Sequence, residues 1–250
     1  MDFFRSSNPA LTDKAFSGYG SFAGSETMTY KGTMNKTLLM LALVVLGAVF
    51  TWRMFFESLN PSSVYVWMLV GGIGGFITSL VVIFAPKTSP YSAPIYAVLE
   101  GLFLGGISAY FAATYSAGIV IQAVGLTFAT FFLMLLAFRT GAIKATARFR
   151  TGVMAATGAI ALMYLVSFIL GFFGINIGFI HSSGTFGIIF SLIVVAVAAL
   201  NLILDFDFIE KASAARAPKY MEWYGAFGLM VTLIWLYIEF LKLLSKISRR

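Results

Sequence analysis

Two long stretches without any Asp, Glu, Lys or Arg dominate this sequence, residues 101–138 and residues 151–204. A helix needs about 20 apolar residues to cross the ~30 Å hydrocarbon core of a bilayer, so each stretch has room for about two membrane spans. The chain is 11% charged, whereas soluble proteins average roughly 25% charged residues. These features predict an all-α, polytopic membrane protein.

The apolar runs predict seven transmembrane helices. The uncharged stretches divide at Thr114-Tyr-Ser-Ala-Gly118 and within residues 171–184, because Gly, Ser and Asn favour turns. The predicted spans are roughly 37–56, 64–85, 94–114, 117–138, 152–173, 184–205 and 223–244. Small residues spaced four apart allow close helix packing, and three such pairs occur: Gly71 and Gly75, Gly101 and Gly105, Gly174 and Gly178.

The ends of the chain are less apolar than the spans. Residues 1–34 have no helical or strand period and are predicted to be a flexible cytoplasmic tail, which leaves residues 35–250 as the seven-helix transmembrane domain. Seven spans place 12 of the 17 Lys and Arg residues on the N-terminal side, which is therefore predicted to be cytoplasmic. Because the other five are Arg53 and the four C-terminal cations, a re-entrant last segment is an alternative to a full seventh crossing.

Acids within or beside the spans are the candidate functional residues, because a charge in hydrocarbon costs several kcal/mol unless it faces the bundle interior or water. Asp205 ends the sixth span, and Asn201, four residues earlier, shares its helical face. Asp207 is turned about 200° from Asp205. With Glu210 and Lys211, it is predicted to lie at the solvated end of the helix. Asp205 is therefore the predicted inward acid, and a simple boundary carboxylate is the alternative.

Glu239 lies inside the last span, and the sequence leaves two interpretations of it. In the simpler one, Glu239 forms a local ion pair with Lys242. In the other, it meets Asp205 on the neighbouring helix, where two carboxylates about 4 Å apart would repel by roughly 4 kcal/mol and share one proton near neutral pH. Such a pair would sense pH. Losing the proton would favour separation of the helices or binding of a hard cation such as calcium.

Other polar residues have supporting or minor expected roles. Glu100 is predicted about 9 Å along the third helix on the cytoplasmic side, and Glu222 at a span end that water reaches. The single His181 and the absence of Cys are poor material for a zinc site, and the Gly-x-Gly-Asp pattern of intramembrane aspartyl proteases is missing. We therefore expect no enzymatic activity, no cofactor and, since the positive charge is scattered, no nucleic-acid partner.

Three segments of the sequence stand out, Glu100-Gly-Leu-Phe-Leu-Gly105, Leu204-Asp205-Phe-Asp207-Phe-Ile-Glu210 and Trp235-Leu-Tyr-Ile-Glu239-Phe-Leu-Lys-Leu-Leu244. Together they resemble the Bax inhibitor-1 family, also called the transmembrane Bax-inhibitor motif family, in its bacterial branch. The resemblance covers about residues 35–246. It implies six helices wrapped around a central C-terminal one, in a bacterial cytoplasmic (inner) membrane. It also implies a pH-sensitive calcium leak, gated by a hydrogen-bonded pair of aspartates on the sixth and seventh helices.

Carried over by motif, Asp205 takes the first of these two places and Glu239 the second, with Glu where the family has Asp. Both are thus the predicted pH-sensing and gating residues and possible calcium ligands, with Glu100, Asn201, Asp207 and Glu222 in support. If Glu239 lies too far along its helix, Glu222 is the nearer partner for Asp205.

The alternative function is that of a regulatory membrane protein without transport of its own. Some bacterial relatives are associated with an ATP-dependent membrane protease, and animal ones with the control of cell death. The tail carries Phe3, Phe4, Phe16 and Phe22 and is a candidate recognition segment for such a membrane-protein partner. Deleting residues 1–33 should abolish a partnership through the tail and leave a leak intact.

Overall fold

The computed structural model describes residues 26–58, 62–175 and 182–249. Seven α-helices within them are long and apolar enough to cross a membrane, which confirms the predicted all-α fold and number of spans. A short 3₁₀ helix, Pro86–Thr88, precedes the third α-helix. The α-helices are α1 (Tyr30–Glu57), α2 (Ser62–Phe84), α3 (Ser89–Thr114), α4 (Ala117–Arg139), α5 (Ala147–Phe172), α6 (Thr185–Ala214) and α7 (Met221–Ser248).

Several helices extend beyond the apolar runs that predicted them. The N-cap of α1 is Thr29, whose hydroxyl accepts a hydrogen bond from the Gly32 amide at 3.0 Å, and such a cap allows a helix to begin in polar surroundings. Since α1 begins at Tyr30, residues 30–34 of the predicted tail belong to this helix, and the division of the chain into tail and transmembrane domain stays a prediction. Residues 1–25 of the predicted tail lie outside the described residues.

The predicted turns divide the two uncharged stretches. α3 and α4 are separated by Tyr115 and Ser116, as the Thr114–Gly118 break predicts. α5 ends at Phe172 and α6 begins at Thr185, within the second predicted break, while residues 176–181, including His181, lie outside the described residues. Gly174 has a φ of 73° and belongs to the turn after α5. Among the described residues no atom lies within 4 Å of a Cβ built on it. Gly178, the other member of the predicted packing pair, lies outside those residues, so the role of this pair stays a prediction.

Close packing of α1, α2 and α3 depends on glycine. A Cβ on Gly105 of α3 would lie 2.2 Å from the carbonyl oxygen of Ala48 in α1. Likewise, a Cβ on Gly71 of α2 would lie 2.5 Å from the Leu99 carbonyl oxygen in α3. Contacts this short between backbones require the absence of a side chain. The small-residue spacing therefore correctly predicts close helix contacts at these positions.

α7 is the most buried of the seven helices. In its most apolar 18-residue window 67% of the residues are buried, against 50% in α3 and in α6, and α7 packs against α1, α3, α4 and α6. The wrapping of all six other helices around α7, which the family resemblance implies, stays a prediction.

The outer surface of the bundle is strongly apolar. Large side chains with high exposed fractions lie on separate helices, for example Leu46 at 67%, Phe84 at 81% and Phe186 at 82%. An apolar surface of this extent is unusual for a soluble protein and suits contact with lipid. Together with the seven spans, it identifies the chain as an integral, multi-pass membrane protein.

Candidate functional site

A buried carboxyl–hydroxyl pair joins α6 to α7. Asp205 of α6 is 0% exposed, and the Thr232 hydroxyl of α7 donates a hydrogen bond to its Oδ2 atom at 2.6 Å. The same hydroxyl lies 3.4 Å from the Gly228 carbonyl oxygen, a longer and weaker alternative acceptor within its own helix. Asp205 thus faces the helix interface, as predicted for the inward acid.

The connection between α6 and α7 sets which residues face one another. Asp205 lies nine residues before the end of α6 at Ala214, and Thr232 lies eleven residues after the start of α7 at Met221. At 1.5 Å per residue, these positions are about 14 Å and about 16 Å from the connection. They therefore lie at the same depth. Counting from both sides of the connection is the sequence signal that could have identified Thr232, which sequence reasoning missed.

Glu239 lies deeper along α7 than Asp205 can reach. It is seven residues beyond Thr232, a rise of about 10 Å. The predicted Asp205–Glu239 pair with a shared proton is therefore wrong, and one calcium ion cannot contact both carboxylates, because calcium–oxygen distances are about 2.3–2.6 Å.

The surroundings of Glu239 agree with the simpler interpretation of this residue. Its side chain is 1% exposed, and its Oε1 atom accepts a hydrogen bond from Lys242 Nζ at 2.9 Å. Its Oε2 atom accepts one from the Tyr164 hydroxyl of α5 at 3.0 Å. Lys242 also lies 4.5 Å above the Tyr164 ring. The local ion pair with Lys242 is confirmed, and the bond to α5 adds a contact between helices.

Asn201 links α6 to α5 instead of α7. Its side chain is buried at 3% exposure, and its Nδ2 atom donates to Thr157 Oγ1 and to the Val197 carbonyl oxygen, both at 2.8 Å. One turn of α6 therefore carries two polar contacts, with Asn201 bonded to α5 and Asp205 bonded to α7.

Asp207 is not solvated as the sequence predicted. Its side chain is 16% exposed and forms ion pairs with Arg150 of α5 and with Lys211. Glu210, in contrast, is exposed as expected. Arg150 lies 57 residues away in the sequence, so the pair follows from the packing of α5 on α6 and not from the local pattern around Asp207.

Glu222, at the start of α7, is also buried where water was predicted to reach it. Its side chain is 0% exposed, and it accepts hydrogen bonds from the Thr29 amide and hydroxyl, both at 2.9 Å. Lys36 of α1 and Lys219 complete the cluster as ion-pair partners. Glu222 is ten residues, or about 15 Å, from Thr232, so its predicted role as the nearer partner of Asp205 is wrong.

Residues 26–29, which we call the N-terminal strap, lie across the connection between α6 and α7. The Met28 amide donates to the Ala217 carbonyl oxygen at 2.7 Å, and the Lys219 amide donates to the Glu26 carbonyl oxygen at 3.2 Å. The Met28 side chain is 2% exposed. The strap therefore connects the segment before α1 to the helix pair that holds Asp205.

Glu100 lies at the interface of α2 and α3. It interacts with Tyr96, one turn earlier in α3, and its Cδ atom is 3.5 Å from a Cβ built on Gly75 of α2. Its Oε2 atom is buried without a hydrogen-bond partner among the described residues. The predicted supporting acid is thus partly buried in the bundle, against a helix other than α6 and α7.

Within the described ranges, no group of three or more His, Cys, Asp and Glu side chains is arranged to hold a metal ion. The acids at the contacts of α7 lie at three depths, with Glu222 near the connection, Asp205 of α6 at the level of Thr232, and Glu239 further along.

Seven membrane-spanning helices with buried acids at their contacts define a class of polytopic membrane protein. The family model described as Bax inhibitor 1 like matches residues 8–249. The chain therefore belongs to the Bax inhibitor-1 family. A comparison with curated proteins finds no match. The residue of α7 that faces Asp205 is Thr232, and not Glu239, to which the resemblance assigned that place. The chain's place in the bacterial branch stays a prediction.

Proposed function

We propose that this protein is a pH-sensitive calcium leak, with Asp205 as the pH-sensing and gating acid. The observation that carries the proposal is the hydrogen bond from Thr232 to Asp205 across the fully buried contact of α6 and α7. Burying a charged carboxylate away from water costs free energy. The protonation state of Asp205 and the packing of α6 against α7 therefore depend on each other.

The two protonation states differ in what they require of the helix contact. A neutral Asp205 carboxyl keeps the hydrogen bond from Thr232 and places no charge at the helix contact. A charged Asp205 keeps the bond from Thr232 but gains from further solvation, so deprotonation favours entry of water and a cation between the helices. Calcium prefers oxygen ligands. The leak is thus expected to increase as pH rises through the titration of Asp205.

Glu239 has the role of a second acid on the same path. It lies about 10 Å beyond Thr232 along α7, so an ion would contact Asp205 and Glu239 in succession. Lys242 neutralises Glu239 when no ion is present, since the two form an ion pair. A calcium ion at Glu239 would have to displace the Lys242 ammonium, which makes this position a second barrier to the leak.

The test is calcium flux through the full-length chain in liposomes that contain a calcium-sensitive dye, measured from mildly acidic to alkaline pH. Asp205→Asn cannot lose a proton, so we expect a low flux without pH dependence. The control is Glu57→Gln, the same acid-to-amide change at a side chain that is 64% exposed, which should behave like wild type. A wild-type protein without flux at any pH, or full pH dependence in Asp205→Asn, would refute the proposal.

A regulatory membrane protein is the second candidate, and the N-terminal strap favours it. A partner that binds residues 1–25 would act on the adjoining strap, and through the hydrogen bonds of Thr29 on Glu222. The informative deletion removes residues 1–25, because a deletion through residue 33 would also remove Thr29 and leave buried Glu222 without two donors. If the shorter deletion keeps the leak and abolishes co-purification of a membrane protein with the chain, both functions coexist. If it keeps both, the tail is not the recognition segment.

We also propose that the N-terminus is cytoplasmic, in a bacterial inner membrane. The charge distribution supports this orientation, with 12 of the 17 Lys and Arg residues on the N-terminal side of seven crossings. Because the chain has no Cys, a single cysteine at Lys87 or at Glu57 gives an unambiguous label. We expect a membrane-impermeant thiol reagent added outside cells to label Glu57→Cys and not Lys87→Cys. Labelling of Lys87→Cys and not of Glu57→Cys would mean that the N-terminus lies outside, and would refute the proposed orientation.

A further inference from the structure

A cavity of about 240 Å³ lies at the end of the bundle opposite Glu222. Its lining combines three cations from the last turns of α7, Lys242, Lys246 and Arg249, with aromatic side chains that include Tyr115 and Tyr164. The cations follow one another at i, i+4 and i+7, so they share one face of α7. Three positive groups around one cavity favour an anionic ligand.

Two of the three cations, Arg249 and Lys246, donate hydrogen bonds to neutral groups. Arg249 Nε donates to the Tyr115 hydroxyl at 2.6 Å, and its guanidinium lies 5.3 Å from the centre of the same ring. Lys246 is 8% exposed and donates to the Gly187 carbonyl oxygen at 3.0 Å and to Ser191 Oγ at 2.8 Å. The Tyr115 hydroxyl thus orients Arg249 without cancelling its charge.

Lys242 forms an ion pair with Glu239. The Arg249 guanidinium, which is held by the neutral Tyr115 hydroxyl, adds a further positive charge to the cavity. Further, the 40% exposed Lys242 side chain can donate to a ligand while it keeps its bond to Glu239, since an ammonium has three donor hydrogens.

We propose that this cavity binds the phosphate of an anionic phospholipid. The cations extend over about 10 Å to the end of α7, which is the depth of the membrane interface for a helix that crosses the bilayer. Tyrosine is typical of that interface, and Tyr110 on the cavity wall is 56% exposed. Arginine and lysine are the usual donors to phosphate. A free phosphate ion offers the same chemistry, and the experiment below separates the two sources.

The experiment measures lipid binding to the full-length chain in detergent by native mass spectrometry, with phosphatidylglycerol and zwitterionic phosphatidylcholine as probes. We expect tighter binding of phosphatidylglycerol, weakened about fivefold by Arg249→Gln, since one basic residue near a lipid surface contributes about that much. Tyr115→Phe keeps the ring and removes the hydroxyl that orients Arg249, so it should weaken binding less. Arg53→Gln is the matched control, because Arg53 is 68% exposed and lies at the same end of the bundle.

Two results would overturn the proposal. One is equal binding of the two lipids. The other is an equal loss in Arg249→Gln and Arg53→Gln, which would mean that net charge and not the cavity attracts the lipid. Competition by millimolar inorganic phosphate that follows the same variants, without any preference for phosphatidylglycerol, would assign the cavity to a soluble anion and also overturn the lipid assignment. Unfolding temperatures of all variants establish that they are folded.

Discussion

Replacing Thr232 by Val tests the link between the α6–α7 contact and the pH response. Valine has nearly the shape of threonine and lacks the hydroxyl that donates to Asp205 at 2.6 Å. A hydrogen bond to a charged group contributes about 1.5–3 kcal/mol and one to a neutral group about 0.5–1.5 kcal/mol. The difference, about 1–1.5 kcal/mol, is the preference that Thr232 gives to the charged form of Asp205.

That preference corresponds to about one pH unit. Because the bond stabilises the charged form, its loss makes Asp205 harder to deprotonate. We therefore expect the pH midpoint of calcium flux in Thr232→Val to lie about one unit above that of wild type. The Gly228 carbonyl oxygen at 3.4 Å offers Thr232 another acceptor when Asp205 is protonated, and the shift is correspondingly limited to the difference between the two states.

The assay is the liposome flux measured over a pH series, with Thr127→Val as the control. The Thr127 hydroxyl is also buried, but it donates to the Ala123 carbonyl oxygen of its own helix and contacts no acid through that bond. We expect its midpoint to match wild type. An unchanged or lower midpoint in folded Thr232→Val, or an equal shift in both variants, would refute the role assigned to the Thr232–Asp205 bond.

Two further predictions concern the helix contacts and the N-terminal strap. Gly105→Ala should lower stability by roughly 1–3 kcal/mol through overpacking against α1. Gly125→Ala should raise it by up to about 1 kcal/mol, because a Cβ there meets no atom of the described residues within 4 Å. Equal unfolding temperatures of the two variants in detergent would contradict this. Glu222→Gln should weaken the strap and speed hydrogen exchange at the Thr29 amide, and an unchanged exchange rate would show that the carboxylate does not hold it.

The membrane spans could be predicted from the sequence because length and apolarity are local properties of the chain. The turn between α3 and α4 was predictable for the same reason. The helix ends were not, because they depend on caps and partners beyond the apolar run. For example, α1 begins seven residues before its predicted start at residue 37, since Thr29 caps it and the strap before it is hydrogen-bonded to the connection between α6 and α7.

The candidate site was predicted less well, because the burial of an acid depends on residues far away in the sequence. Glu222 is paired with Lys36, 186 residues earlier, and Asp207 with Arg150, so both look solvated in the local pattern and are not. Thr232 was missed because a single threonine in an apolar helix usually bonds to its own backbone. Thr232 faces Asp205 because of the register in which α6 and α7 pack, and the local sequence around either residue does not give that register.

The central claim is that the proton on Asp205 controls the leak, and infrared difference spectroscopy tests it most directly. The protonated-carboxyl band of the full-length protein is titrated in the same liposomes that are used for flux. We predict a band that is lost in Asp205→Asn and that titrates in wild type at the pH midpoint of calcium flux. A band that persists unchanged in Asp205→Asn, or that titrates at a pH clearly different from the flux midpoint, would contradict the claim.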